Sequence, residues 1–212
     1  MTTFADQLLV LVILINFLAL GTNRVITSIR AVAIQGIALG LLPWIINDFS
    51  GHMLLIAAGM VATKGLIIPL LLIRAIRRVD INQEVEPYLG YIPVLLIGAV
   101  ATALAFGFSD RLPLAPQHQG LLFVPAAIAT LLTGCLILVT RKKAITQVTG
   151  YLIMENGIYI FGLLLTEAMP LMVEAGALLD LLVGIFVMGI IINQISREFS
   201  SIDTSRLSAL KE

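Results

Sequence analysis

Cysteine, histidine and charge are all scarce in this chain, and each scarcity removes a class of function. The single cysteine, Cys135, lies inside an apolar run and offers neither a disulfide framework nor a thiolate cluster. The two histidines, His52 and His118, fall at or near loops, whereas an intramembrane haem held by histidines needs them at depth and an iron–sulfur cluster needs a full set of cysteines. The chain is therefore expected to hold no cofactor or metal, to have no catalytic residue and to carry no electrons itself. Thirteen basic residues balance thirteen acidic ones, so the net charge is zero and a nucleic-acid partner has no electrostatic support. The amino end, MTTFADQ, lacks a basic segment and a small-residue cleavage site, which predicts that the first apolar run is a retained helix.

What fills the chain instead is apolar. It is 59% hydrophobic and 12% charged, with a mean hydropathy of +1.03, the composition of an all-α polytopic membrane protein embedded in a lipid bilayer. Apolar runs of membrane-spanning length can be placed at seven positions: Phe4 to Gly21, Val25 to Asn47, His52 to Ile73, Tyr88 to Phe108, Gln119 to Thr140, Ile145 to Thr166 and Leu171 to Ile195. Pro43, Pro69, Pro93 and Pro125 fall within them and predict kinks. Arg24, the group Arg74, Arg77 and Arg78, the group Arg141, Lys142 and Lys143, and the tail residues Arg197, Arg206 and Lys211 occupy alternate connections. By the positive-inside rule the amino end faces out and the carboxyl end faces the cytoplasm. The segment Arg74 to Glu86 reads as a solvated loop or short amphipathic helix.

Within this apolar background a few polar residues stand deep. Glu155, in GYLIMENGIYIFGLLL, lies ~18 Å of helix from both Lys143 and Glu167. Asp180, in LMVEAGALLDLLVGIFVMGIIIN, reaches a similar depth from the opposite direction. Burying such an acid in a bilayer costs on the order of 2.5 to 3.5 kcal/mol, a cost that usually marks an ion pathway. Tyr151 and Tyr159 share the helix face of Glu155, and Gly176 and Gly184 share that of Asp180. Gln35 lies midway along the second helix. Lys64 lies ~18 Å from His52 and ~15 Å from Arg74 in the third, too deep to reach the surface. Either it pairs with an acid, Glu155 or Asp180, or desolvation favours its neutral form. Arg30 either reaches the cytoplasmic edge or extends the polar route inward.

Laying helices one to three over helices five to seven brings Gln35 to within about a residue of Glu155, and Lys64 to within one position of Asp180 when the two AG pairs are matched. The plan is a 3+1+3 parallel repeat. It divides the chain into a three-helix unit over residues 1–78, a cytoplasmic loop, linker helix and outer loop over 79–118, a second three-helix unit over 119–195 and a cytoplasmic tail over 196–212.

The carboxyl half resembles subunit K of respiratory NADH:quinone oxidoreductase. RKKAITQVTGYLIMENG supplies the basic turn and central glutamate of that family as Glu155, and EAGALLDLLVGIFVMGIIINQ supplies its second acid as Asp180, an aspartate where the family has glutamate. With further helices ahead of it, this half is similar to hydrogenase-4 component E, a family of formate hydrogenlyase and related group 4 membrane-bound hydrogenases. The resemblance implies a non-redox subunit beside antiporter-like and H-subunit-like membrane proteins and a peripheral [NiFe] hydrogenase arm, in a bacterial or archaeal cytoplasmic membrane. It also implies a midplane proton path through Glu155, Asp180, Lys64 and Gln35, with Tyr151, Tyr159 and Arg30 in support. Two other readings stay open: a self-contained transporter with parallel three-helix repeats, and a scaffold whose buried acids hold helices together.

Overall fold

A computed structural model describes residues 2–46, 57–79, 87–112 and 122–164. The expectations for Asp180, the seventh helix, the tail and the repeat that depends on them lie outside those residues. Among the described residues the chain forms helices α1 (Thr2–Gly21), α2 (Val25–Ile46), α3 (residues 57–79), α4 (Tyr91–Ser109), α5 (Phe123–Thr140) and α6 (Ala144–Leu164), with no strand. Five of them, α1 to α5, are long and apolar enough to cross a membrane. The sixth, α6, has the length, 21 residues, but carries Gln147, Glu155 and Asn156.

Two helices expected to kink at proline do not place it in their interior. Pro93 and Pro125 are each the third residue of their helix, α4 and α5. There the missing N–H would have had no partner within the helix. Pro43 does lie inside α2 and is buried. Helix α3 runs on through Val79, so Arg74 belongs to a helix and not to the following connection. Leu72 and Ile76, one turn apart, are buried, while Arg74 between them is exposed. That amphipathic spacing is what carries the helix past the apolar run.

Helices α5 and α6 form a close antiparallel pair. A methyl group at Gly134 would overlap the backbone nitrogen of Met154, so only glycine lets the two backbones approach this near. α1 packs between α2, α4 and α5, and α2 packs between α1, α3 and α6. Helix α4 lies outermost, with Val94, Gly98 and Ala105 as its buried residues.

Two apolar clusters fill the bundle. One joins Leu20, Ile29, Leu72, Ile76, Ile137 and Ile153 towards the end where α1, α3 and α5 finish. The other joins Leu9, Leu39, Leu42, Phe123, Tyr159 and Ile160 towards the opposite end, where the Asp6 carboxylate accepts a hydrogen bond from the first N–H ahead of α5, that of Leu122, at 3.2 Å. Along α2, α5 and α6 a buried polar residue sits between the stretches that feed the two clusters, Gln35, Thr130, and Glu155 with Asn156, and Asn16 lies near the changeover on α1. The bundle is thus layered as apolar, polar, apolar.

Candidate functional site

Lys64 enters the polar layer from an irregular turn. Residues Val61–Ile67 of α3 are a π-helix, with the N–H of Ile68 donating to the carbonyl of Thr63. Pro69 follows at once. It has no N–H to give, and its ring would press on the carbonyl of the residue four back, Gly65. A wider turn ahead of it relieves that crowding. The Thr63 hydroxyl donates to the Gly59 carbonyl at 2.8 Å, another local competitor for the helical ladder. π turns inside α-helices are often found at functional sites.

The neighbouring helix is shaped to receive this turn. A methyl group at Gly36 of α2 would come within 2.9 Å of the carbonyl carbon of Lys64. The absence of a side chain there lets the Lys64 backbone lie directly against α2, one residue from Gln35.

The Lys64 Nζ stands 3.7 Å from Glu155 Oε2, an ion pair with both side chains buried. Lys64 also donates to Asn156 Oδ1 at 3.5 Å. Asn156 Nδ2 donates to Gln35 Oε1 at 3.4 Å, and Gln35 Nε2 donates to Asn16 Oδ1 at 2.7 Å. Asn16 Nδ2 then donates to the Thr130 hydroxyl at 2.9 Å. Five helices therefore contribute to one connected polar chain. Burial without partners would make each of these groups costly, and connection is what makes the layer tolerable.

The structure brings Lys64, Gln35 and Glu155 together. Tyr159 is buried in the apolar cluster beyond Glu155, Tyr151 is half-buried, and Arg30 is exposed on α2. Sequence reasoning did not single out Asn16, Asn156 or Thr130. Asn16 interrupts LLVLVILINFLALG and Asn156 adjoins Glu155, so both carried the same signal as Gln35: an amide in a run of apolar residues. Thr130 carried none, since threonine is common in apolar helices.

Arg141 also departs from expectation. Counted among the charges of a basic connection, it is 1% exposed. Its Nη2 donates to the Leu20 carbonyl at 2.6 Å, and its guanidinium lies over the Tyr91 ring at 4.4 Å. Leu20 is in the last turn of α1, whose carbonyls have no partner within the helix and whose dipole favours a cation. Beside it the N–H of Tyr88 donates to the Thr140 carbonyl at 2.9 Å, and Lys142 lies over the Tyr88 ring at 5.2 Å. Farther into the α2–α6 contact the Ser28 and Thr149 hydroxyls meet at 3.1 Å.

A helical bundle of membrane-spanning segments with an ion pair and an amide chain buried between two apolar layers defines the class: a polytopic membrane protein with an intramembrane polar centre. The chain is 31% identical to hydrogenase-4 component E of Escherichia coli K12 over 166 residues, which is 77% of this chain and 76% of the relative. The same figures hold for hydrogenase-4 component E of Shigella flexneri. It is also 32% identical over 189 residues to an uncharacterised protein of Mycobacterium tuberculosis, covering 87% of this chain and 85% of that one. No family model and no solved structure matches. The chain belongs to the hydrogenase-4 component E family, as the resemblance of the chain with its additional helices implied, and it is a membrane protein.

Proposed function

We propose that this chain is a non-redox membrane subunit of a hydrogenase complex, and that its buried polar layer is part of a proton path. The name of the relatives, hydrogenase-4 component E, supports membership of such a complex. The single observation that supports the path is the Lys64–Glu155 pair, an acid and a base 3.7 Å apart, both buried, between two apolar clusters. Opposite charges in a poorly solvated place exchange a proton at little cost in net charge, and either partner responds to a charge arriving nearby. In the proposed cycle a redox event in a peripheral [NiFe] hydrogenase arm alters charge at one end of a lateral chain, and protons redistribute along it. In the same reading Asp180 is a further member of that chain, with Tyr151, Tyr159 and Arg30 in support.

In the same proposal the complex lies in a bacterial or archaeal cytoplasmic membrane. The chain crosses it seven times with its amino end outside, and it contacts antiporter-like and H-subunit-like partners. Glu155→Gln tests the path in the assembled complex. The variant is expected to assemble and to lose most proton translocation in sealed vesicles; an assembled Glu155→Gln complex that pumps at the parental rate ends this reading. Tagged chain recovered alone from native membranes, without hydrogenase or antiporter-like subunits, would favour the self-contained transporter instead.

A further inference from the structure

The hydrogen bonds on the amide side of the layer all run in one direction, and the chemistry of both its end and its middle dictates that direction. An ammonium only donates, so Asn156 must turn its Oδ1 to Lys64, at 3.5 Å. Its Nδ2 is then what remains for Gln35, whose Oε1 accepts at 3.4 Å. The Nε2 of Gln35 is left for Asn16, whose Oδ1 accepts at 2.7 Å, and the Nδ2 of Asn16 ends on Thr130 Oγ1 at 2.9 Å. Halfway along, Gln35 Nε2 also donates to the main-chain carbonyl of Val12 at 3.3 Å, an oxygen that can only accept. Turning Gln35 round would set two acceptors face to face. The three amides are 2%, 0% and 1% exposed for Asn16, Gln35 and Asn156, so none can trade its partner for bulk water.

We propose that Asn16, Gln35 and Asn156 act as one positioning device for Lys64, with Thr130 as its remote anchor on α5. The proposal rests on the reading of Lys64 and Glu155 as the working pair and concerns what holds that pair ready. Each amide turns its carbonyl towards Lys64 and its NH2 away, so the dipoles add and favour positive charge at the lysine end. A lysine on its flexible four-carbon stem has many rotamers. The array selects the one that meets Glu155 and ties that choice to the α1–α5 contact, outside the two helices that carry the pair. The hydrogen-bonded route from Thr130 and Asn16 to Lys64 runs through Gln35 and Asn156.

The test reads Lys64 directly. In the full chain labelled with 15N-lysine and reconstituted in lipid, the Lys64 side-chain resonance is assigned by its loss in Lys64→Arg. Thr130→Val keeps the shape and removes the hydroxyl, and it is expected to displace the resonance; Thr130→Ser, which restores the hydroxyl, is expected to return it to the parental position. Asn16→Leu breaks the array one link nearer and is expected to displace the resonance in the same sense, which keeps the test alive should Thr130→Val fail to fold. Ser28→Ala removes a hydroxyl from the α2–α6 contact outside the array and is expected to leave the resonance in place. An unmoved resonance in the array variants overturns the proposal, as does an equal displacement by Ser28→Ala. Proton translocation by Lys64→Met complexes tests the underlying function separately: normal translocation there removes the proton reading and leaves the positioning result standing.

Discussion

Taking away one member of the Lys64–Glu155 pair leaves the other charge buried beside apolar layers, a change that costs on the order of 3 to 5 kcal/mol. Lys64→Met is therefore expected to lower the thermal midpoint of the full chain in detergent, and the double variant Lys64→Met with Glu155→Leu to recover part of that loss. Midpoints that fall additively would show that the two residues are not coupled. Arg141→Lys is a second test at this scale. An ammonium cannot both reach the Leu20 carbonyl in the guanidinium's geometry and lie flat on Tyr91, so the nominally conservative change is expected to destabilise the α1–α5 contact. An unchanged melting curve for Arg141→Lys would contradict the role given to it. Lys64, Gln35 and Glu155 were legible in the sequence because a charge or amide in a long apolar run has no cheap explanation. The burial of Arg141 was not legible, because a basic residue at a helix end looks the same whether it faces water or caps a neighbouring helix.

At the scale of the element, α3 departs furthest from regularity. Pro69→Ala supplies the missing N–H and removes the ring, so the Val61–Ile67 turn is expected to relax towards the α-helical ladder and turn Lys64 away from Glu155. The 15N resonance of Lys64 reports it, and an unmoved signal would assign the π turn to packing against Gly36 alone. The helices themselves were legible from run length, and their ends were not. Nothing in the composition of Arg74 to Val79 distinguishes the last turns of a helix from a charged connection. That distinction comes from Leu72 and Ile76 finding buried places in a cluster assembled with α1, α2, α4, α5 and α6. The π turn was legible only as a proline in an apolar run, since a proline signals a break in the ladder and not the form that the break takes.

For the molecule as a whole, the contacts from Arg141 to Leu20 and Tyr91 place the basic residues Arg24, Arg141, Lys142 and Lys143 at one end of the bundle, opposite Asp110 and Arg111 after α4. With Cys135 replaced by serine, a cysteine at Arg24 is expected to react with a membrane-impermeant maleimide only from the cytoplasmic side, and one at Arg111 only from outside; the reverse pattern would invert the proposed topology. The layered bundle was not legible in advance, because the two apolar clusters interleave residues that lie far apart in the chain. The amide chain has a last consequence for any proton that reaches Glu155. Carboxamides neither take up nor surrender protons under ordinary conditions. Asn156, Gln35 and Asn16 therefore carry no proton themselves: in the proposed path they order the Lys64–Glu155 pair, and Lys64 and Glu155 are the members of this layer able to exchange one.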